Sequence, residues 1–311
     1  MRYRNPVYDG YFADPFVMRT GDGYIAYGTG SRVDGRIFEV LTSDDLVNWR
    51  RAGGALEEPR GDLGTDYWAP EAVEVDGEWF LYYSVGRGDV GHHLRVARAN
   101  SPLGPFRDAG VDLTPGEHFA IDPHPFRGAD GTWYLFYARD VLDGDRIGTM
   151  LAVDVLEPMT SLGGEPRTVL RPSADWQMFR RGRQIYGQTY DWHTLEGPFV
   201  RPHAGRLYCF YSAGAWEEPT YGVSYAVADH PLGPWTQAAG EPLLRTVPDR
   251  VIGPGHLSVV TGPHGGDVVA YGAWDPAQTG RRMCIDPLLW TPDGPRIAGP
   301  TWESTDLPDR A

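Results

Sequence analysis

Asp14, Glu71, Asp122 and Glu196 share one setting. Each carboxylate lies within two residues of a proline, at the opening of a short apolar and aromatic run. A single Asp-Pro pair commonly just starts a turn, because Asp bonds nearby backbone and Pro fixes φ. Here the setting recurs. "ADPFVMRTGDGYIAYGTG" begins at 13, "APEAVEVDGEWFLYYSVG" at 69, "IDPHPFRGADGTWYLFYARD" at 121 and "EGPFVRPHAGRLYCFYSAGAW" at 196. A fifth run, "GPGHLSVVTGPHGGDVVAYGAW" from 253, carries His256 at the matching place. Four acids drawn to one cavity repel one another, which no fold needs for stability. Acid–base catalysis does need such a group.

The elements that must position these residues follow from the same repeat. Each unit reads as a short strand, a Gly-rich turn and an aromatic strand. Related tails follow as outer edges: "SDDLVNWRRAG", "NSPLGPFRDAG" and "DHPLGPWTQAAG". The marked residues are 57, 51, 74 and 60 positions apart, a period that fits a β-propeller blade of three or four strands. Five units predict an all-β, five-bladed β-propeller and one domain over residues 1–311. A β-sandwich would not explain the repeated plan. In a propeller the innermost strands run the same way along the axis, so equivalent positions converge on one mouth.

Composition agrees with a turn-dense, strand-rich protein and argues against other classes. The 311 residues include 40 Gly, 27 Pro, 11 Trp, 17 Tyr and 11 Phe, and helical periodicity is almost absent. A net charge of −14 without any basic run argues against nucleic acid as a partner. No window approaches the ~18 to 20 apolar residues of a membrane span. The start, "MRYRNPVYDG", lacks the apolar core of a signal peptide. Cys209 and Cys284 read as two buried free thiols, which fits a reducing cytoplasm unless a leader has been removed.

The strings "FADP", "WAPE", "AIDP", "LEGPFV" and "GPGH", in that order and spacing, resemble glycoside hydrolase family 43. That family comprises five-bladed arabinofuranosidases, xylosidases and arabinanases. The resemblance implies that Asp14 is the general base, Glu196 the general acid, and Asp122 a third carboxylate that orients the acid and raises its pKa. It implies an inverting, exo-acting hydrolase of α-L-arabinofuranosides or β-D-xylosides, with an oligosaccharide or glycoside as partner and no organic cofactor. In "GRRMCIDPLLW" it selects Arg281 to reach the sugar. Strand alternation sends Arg282 to the other face. His256 then stands near a central calcium ion, or is a hydrogen-bonded channel histidine.

Three further residues are expected around the sugar. Trp68 walls the ring or packs between blades, and Trp192 borders the pocket or packs behind it. Glu71 bonds sugar hydroxyls or a neighbouring amide. The stretch 171–195, the longest departure from the repeat, is expected at the pocket rim. Two alternatives stay open: a silent sugar-binding propeller, and a relative acting on another sugar such as galactofuranose. A WD-type interaction propeller would show Trp-Asp repeats of about 40 residues, which are absent.

Overall fold

Alternating apolar and aromatic runs with tight turns between them can satisfy their backbone only by pairing with their neighbours. In the computed structural model, which describes residues 1–21 and 23–307, they pair in chain order. Five antiparallel meanders result, each of four strands, and among the described residues the only helical piece is a 3₁₀ turn at Asp175–Gln177. Their first strands are Ala13–Thr20, Asp66–Val75, Ala120–Arg127, Gln188–His203 and Ile252–Thr261. These five pack against one another in sequence, and the fifth packs back on the first, so they form a closed ring. The all-β expectation holds.

The meanders do not remain five separate sheets. Gly148 and Thr149 in the third pair in parallel with His193 and Thr194 in the fourth, and this bridge fuses the two. An extra strand, Met178–Ile185, adds to the same sheet by pairing with the start of Gln188–His203. Nine strands therefore share one sheet. The long stretch between meanders three and four is used for this extension.

Closure comes from the two ends of the chain. Arg2–Tyr3 pairs with Thr305–Asp306, while the Val7 and Phe12 N–H groups donate to the carbonyls of Met283 and Arg281. Asn5 acts as a substitute strand residue. Its amide nitrogen donates to the Ile285 carbonyl and its amide oxygen accepts from the Ile285 N–H, both at 2.8 Å. Beside it, fully buried Asp286 accepts hydroxyl protons from Tyr3, Tyr271 and Thr301. Burial pushes this carboxyl up, and those donors offset part of the shift.

Asn5→Ala would leave the two Ile285 backbone groups buried and unpaired, at about 1–3 kcal/mol each. A melt followed by circular dichroism should show a loss of about 2–6 kcal/mol with the Michaelis constant unchanged.

Candidate active site

One irregularity, repeated five times, builds the site. In each first strand the pairing with the next strand slips by one residue, between Ala13 and Phe16, Trp68 and Glu71, Ile121 and His124, Glu196 and Phe199, and Gly255 and Ser258. The first residue of every bulge is left-handed: Asp14 (φ 50°), Ala69 (49°), Asp122 (60°), Gly197 (56°) and His256 (50°). The second is Pro in four of the five. A bulge residue donates nothing to the ladder, so proline's missing N–H costs nothing there. Non-glycine residues held left-handed are strained, and such strain collects at functional sites.

The bulges sort the channel side chains into levels. The left-handed positions present Asp14, Asp122 and His256, and the position before them presents Ala13, Trp68, Ile121 and Glu196. All seven line one cavity of about 350 Å³. The position two residues after the left-handed one lies deeper and holds Phe16, Glu71, His124, Phe199 and Ser258. Glu71 is thus not the counterpart of Asp14. The counterpart is Ala69, and Glu196 stands one residue before its own, Gly197.

Hydrogen bonds tie the levels together. The Gly197 N–H donates to Asp122 Oδ2 at 2.8 Å, which fixes Asp122 beside the backbone of Glu196. Gly197 has no substitute: a Cβ there would lie 3.1 Å from His256 Nδ1 on left-handed backbone. Arg281 Nη1 donates to Asp14 Oδ1 at 2.7 Å, and His256 Nδ1 lies 3.5 Å from that oxygen. Tyr221 donates its hydroxyl to Glu196 Oε1 at 2.6 Å. The Tyr221 ring lies against Gly255, where a Cβ would come within 2.0 Å of it.

Charge then separates the acids. Burial raises Asp14, but Arg281, His256 and the Thr29 hydroxyl outweigh it and hold this carboxyl below its usual value. Burial pushes Glu196 up to about 7; Asp14 and Asp89 add to the rise, while Tyr221 and Arg281 oppose it. Asp122 is raised well above the carboxylate range by burial and by the charges of Glu196 and Asp14. The surroundings favour an ionised Asp14 and shift the acids facing it, Glu196 and Asp122, toward keeping a proton. Groups whose environments push them apart in this way mark the base and the acid.

The chain matches the family described as glycosyl hydrolases family 43 over residues 3–295. The chain belongs to that family. A thermostable family-43 glycoside hydrolase of known crystal structure is 32% identical, with a TM-score of 0.87 and 99% of both chains covered. A beta-D-galactofuranosidase of Aspergillus niger is 28% identical, covering 93% of this chain and 83% of its own. An extracellular exo-alpha-(1->5)-L-arabinofuranosidase of Streptomyces avermitilis is 25% identical over 91% of this chain, which spans 60% of that relative. This family-43 protein is a glycoside hydrolase with a propeller fold.

Two sequence expectations for its pocket need correction. Glu71 does not line the cavity; it accepts a 2.7 Å hydrogen bond from His124 Nδ1 one level down, while His124 Nε2 accepts from the Val200 N–H. Trp192 is fully buried behind the wall, where its N–H donates to the hydroxyl of Thr149, a pocket residue. Their spacing placed both near the mouth, but the bulge register sent Glu71 down and the extra strand covered Trp192.

The other expectations meet the geometry as follows. Arg281 enters the site, where its Nη1 holds Asp14; its Nε and Nη2 are buried and, among the described residues, have no hydrogen-bond partner. Arg282 turns away to Asp275. Trp68 lines the cavity with its ring stacked on His92 at 3.8 Å. The donors around His256 do not fit a calcium ion, which takes ~6 to 8 oxygen ligands. Arg281 already occupies Asp14, and among the described residues no three His, Cys, Asp or Glu side chains converge as a metal site. His256 stands as a channel histidine, its imidazole kept largely neutral by burial.

Sequence reasoning missed Tyr221, Thr29, Tyr11 and Trp216. Tyr11 directly precedes "FADP", a signal within reach. Tyr221 sits in a loop with no repeat to mark it.

The pH–rate profile should lose activity above about pH 7, as Glu196 gives up its proton. Tyr221→Phe removes a contact that lowers the Glu196 pKa, so kcat/KM should retain activity to higher pH than in the wild type. A basic limb that stays in place would separate Tyr221 from the acid.

Proposed function

We propose that this protein is an inverting, exo-acting hydrolase that releases a pentose, foremost from α-L-arabinofuranosides and also from β-D-xylosides. The observation that carries the reading is the contrasting surroundings of Asp14, hydrogen-bonded to Arg281, and Glu196, buried and bonded to Tyr221, around one small cavity. Asp14 takes a proton from water, and the oxygen of that water attacks the anomeric carbon. Glu196 delivers its proton to the departing glycosidic oxygen as the bond to carbon breaks. Asp122, itself raised by burial and keeping its proton, accepts the Gly197 N–H and so holds the backbone next to Glu196. Arg281 orients Asp14 at the edge of the sugar site, and Trp68 gives the ring an apolar wall. A volume of about 350 Å³ is at the low end for ligand pockets, which suits a terminal sugar rather than a chain passing through.

The second reading keeps the chemistry and changes the sugar. The Aspergillus niger relative is named a galactofuranosidase, and galactofuranose differs from arabinofuranose by an added hydroxylated carbon beyond C5. Turnover on aryl arabinofuranoside, xyloside and galactofuranoside ranks the three.

No described helix is long and apolar enough to cross a membrane. For location we retain the cytoplasmic reading, supported by the free, buried thiols of Cys209 and Cys284. The Streptomyces avermitilis relative is named extracellular, and activity in fractionated host cells distinguishes the two.

Asp14→Asn should fold normally and lose ~10²- to 10⁴-fold in turnover on every substrate. Glu196→Ala should lose a similar factor on alkyl or sugar leaving groups and far less on nitrophenyl glycosides, which depart without protonation. Equal losses on both kinds of substrate would remove Glu196 as the proton donor.

A further inference from the structure

The first strand of the fourth meander runs for 16 residues, against 8 to 10 in the other four. Its extra length pairs with Met178–Ile185 to make a hairpin that no other meander carries on its first strand. Tyr186 (φ 53°) and Gly187 (φ 73°) form the turn, the two-residue geometry that matches strand twist. The hairpin is braced from behind. The Tyr186 hydroxyl donates to Asp140 Oδ2 at 2.7 Å, and the Arg183 guanidinium sits 4.9 Å from the ring centre of buried Trp192. This is a fixed wall.

Phe179 and Arg183 on this hairpin line the cavity, and so does Asp89 from the second meander. Arg183 Nη2 reaches across to the Asp89 carbonyl at 3.4 Å. Among the described residues, its other N–H groups take no protein partner. Glu196 lies four residues beyond Trp192 on the same strand as the hairpin. The oxygen that receives the Glu196 proton belongs to the leaving group, so the leaving sugar must lie beside that strand.

We propose that Phe179, Arg183 and Asp89 form the subsite for the leaving sugar, and that it takes a neutral glycosyl unit. Phe179 offers an apolar face, the Arg183 N–H groups donate, and the Asp89 carboxylate accepts. A donor and an acceptor set across from each other match the hydroxyls of a sugar. A uronate would meet the Asp89 charge as well as Arg183. The assignment rests on the hydrolase reading above and specifies which part of the substrate the hairpin reads.

The test compares α-1,5-arabinobiose, which fills both subsites, with free L-arabinose as a competitive inhibitor, which fills only the inner one. Arg183→Ala and Asp89→Asn should each raise KM for the disaccharide about tenfold and leave the inhibition constant of arabinose unchanged. Arg183→Gln, which keeps N–H donors on a shorter side chain, should recover part of the loss. An unchanged KM for arabinobiose in both variants overturns the subsite while the hydrolase reading stands. So does an arabinose inhibition constant that weakens by the same factor as KM. Wild-type protein inert on nitrophenyl arabinofuranoside and arabinobiose alike defeats the pentoside reading, and the subsite with it.

Discussion

The site depends on a left-handed residue placed in each of five inner strands, the fifth of which carries a second, Gly253 (φ 53°). An ordinary strand sends successive side chains to opposite faces, so two adjacent residues cannot both serve one channel. The bulge removes that limit. It lets Ala13 and Asp14, or Ile121 and Asp122, both contribute to the mouth, and it turns the chain so that Asp14, Asp122 and His256 face inward. The paired strand stays in register on either side, so the distortion remains local. Proline after the left-handed residue stiffens the bulge without leaving a donor unpaired.

Once the residues converge, burial and one ion pair settle their charges. Desolvation raises all three carboxyls, and of the three only Asp14 is hydrogen-bonded to the Arg281 guanidinium, at 2.7 Å. That asymmetry originates in closure of the ring. Arg281 belongs to the last meander and Asp14 to the first, and the same Arg281 accepts the Phe12 N–H on its carbonyl. The terminal strap that closes the fold thereby also helps set the ionisation of Asp14. One level below them Glu71 and His124 are buried and paired with each other.

The plan of the fold was legible because repetition leaves marks that single motifs do not. Asp14-Pro15, Ala69-Pro70, Asp122-Pro123 and Gly197-Pro198 were all visible as short strings. Aligning the repeats on their acids rather than on the residue before proline put Glu71 one level too high. Pairs such as Arg281 with Asp14 follow from closure across the whole chain, and spacing along the sequence cannot show them. Tyr221 and the hairpin at 178–192 fall outside the repeat, where shape depends on what lies beneath. The two meanders fused by Gly148 and Thr149 were also beyond reach, since a two-residue parallel bridge leaves no periodic signature.

The central claim is that water activated by Asp14 attacks from the face opposite Glu196. The stereochemistry of the first-formed product tests it directly. Proton NMR during early hydrolysis of an α-L-arabinofuranoside should show β-L-arabinofuranose before mutarotation, because inversion requires one displacement by water. First appearance of the α anomer would mean two displacements through a covalent intermediate, and would contradict the roles given to Asp14 and Glu196.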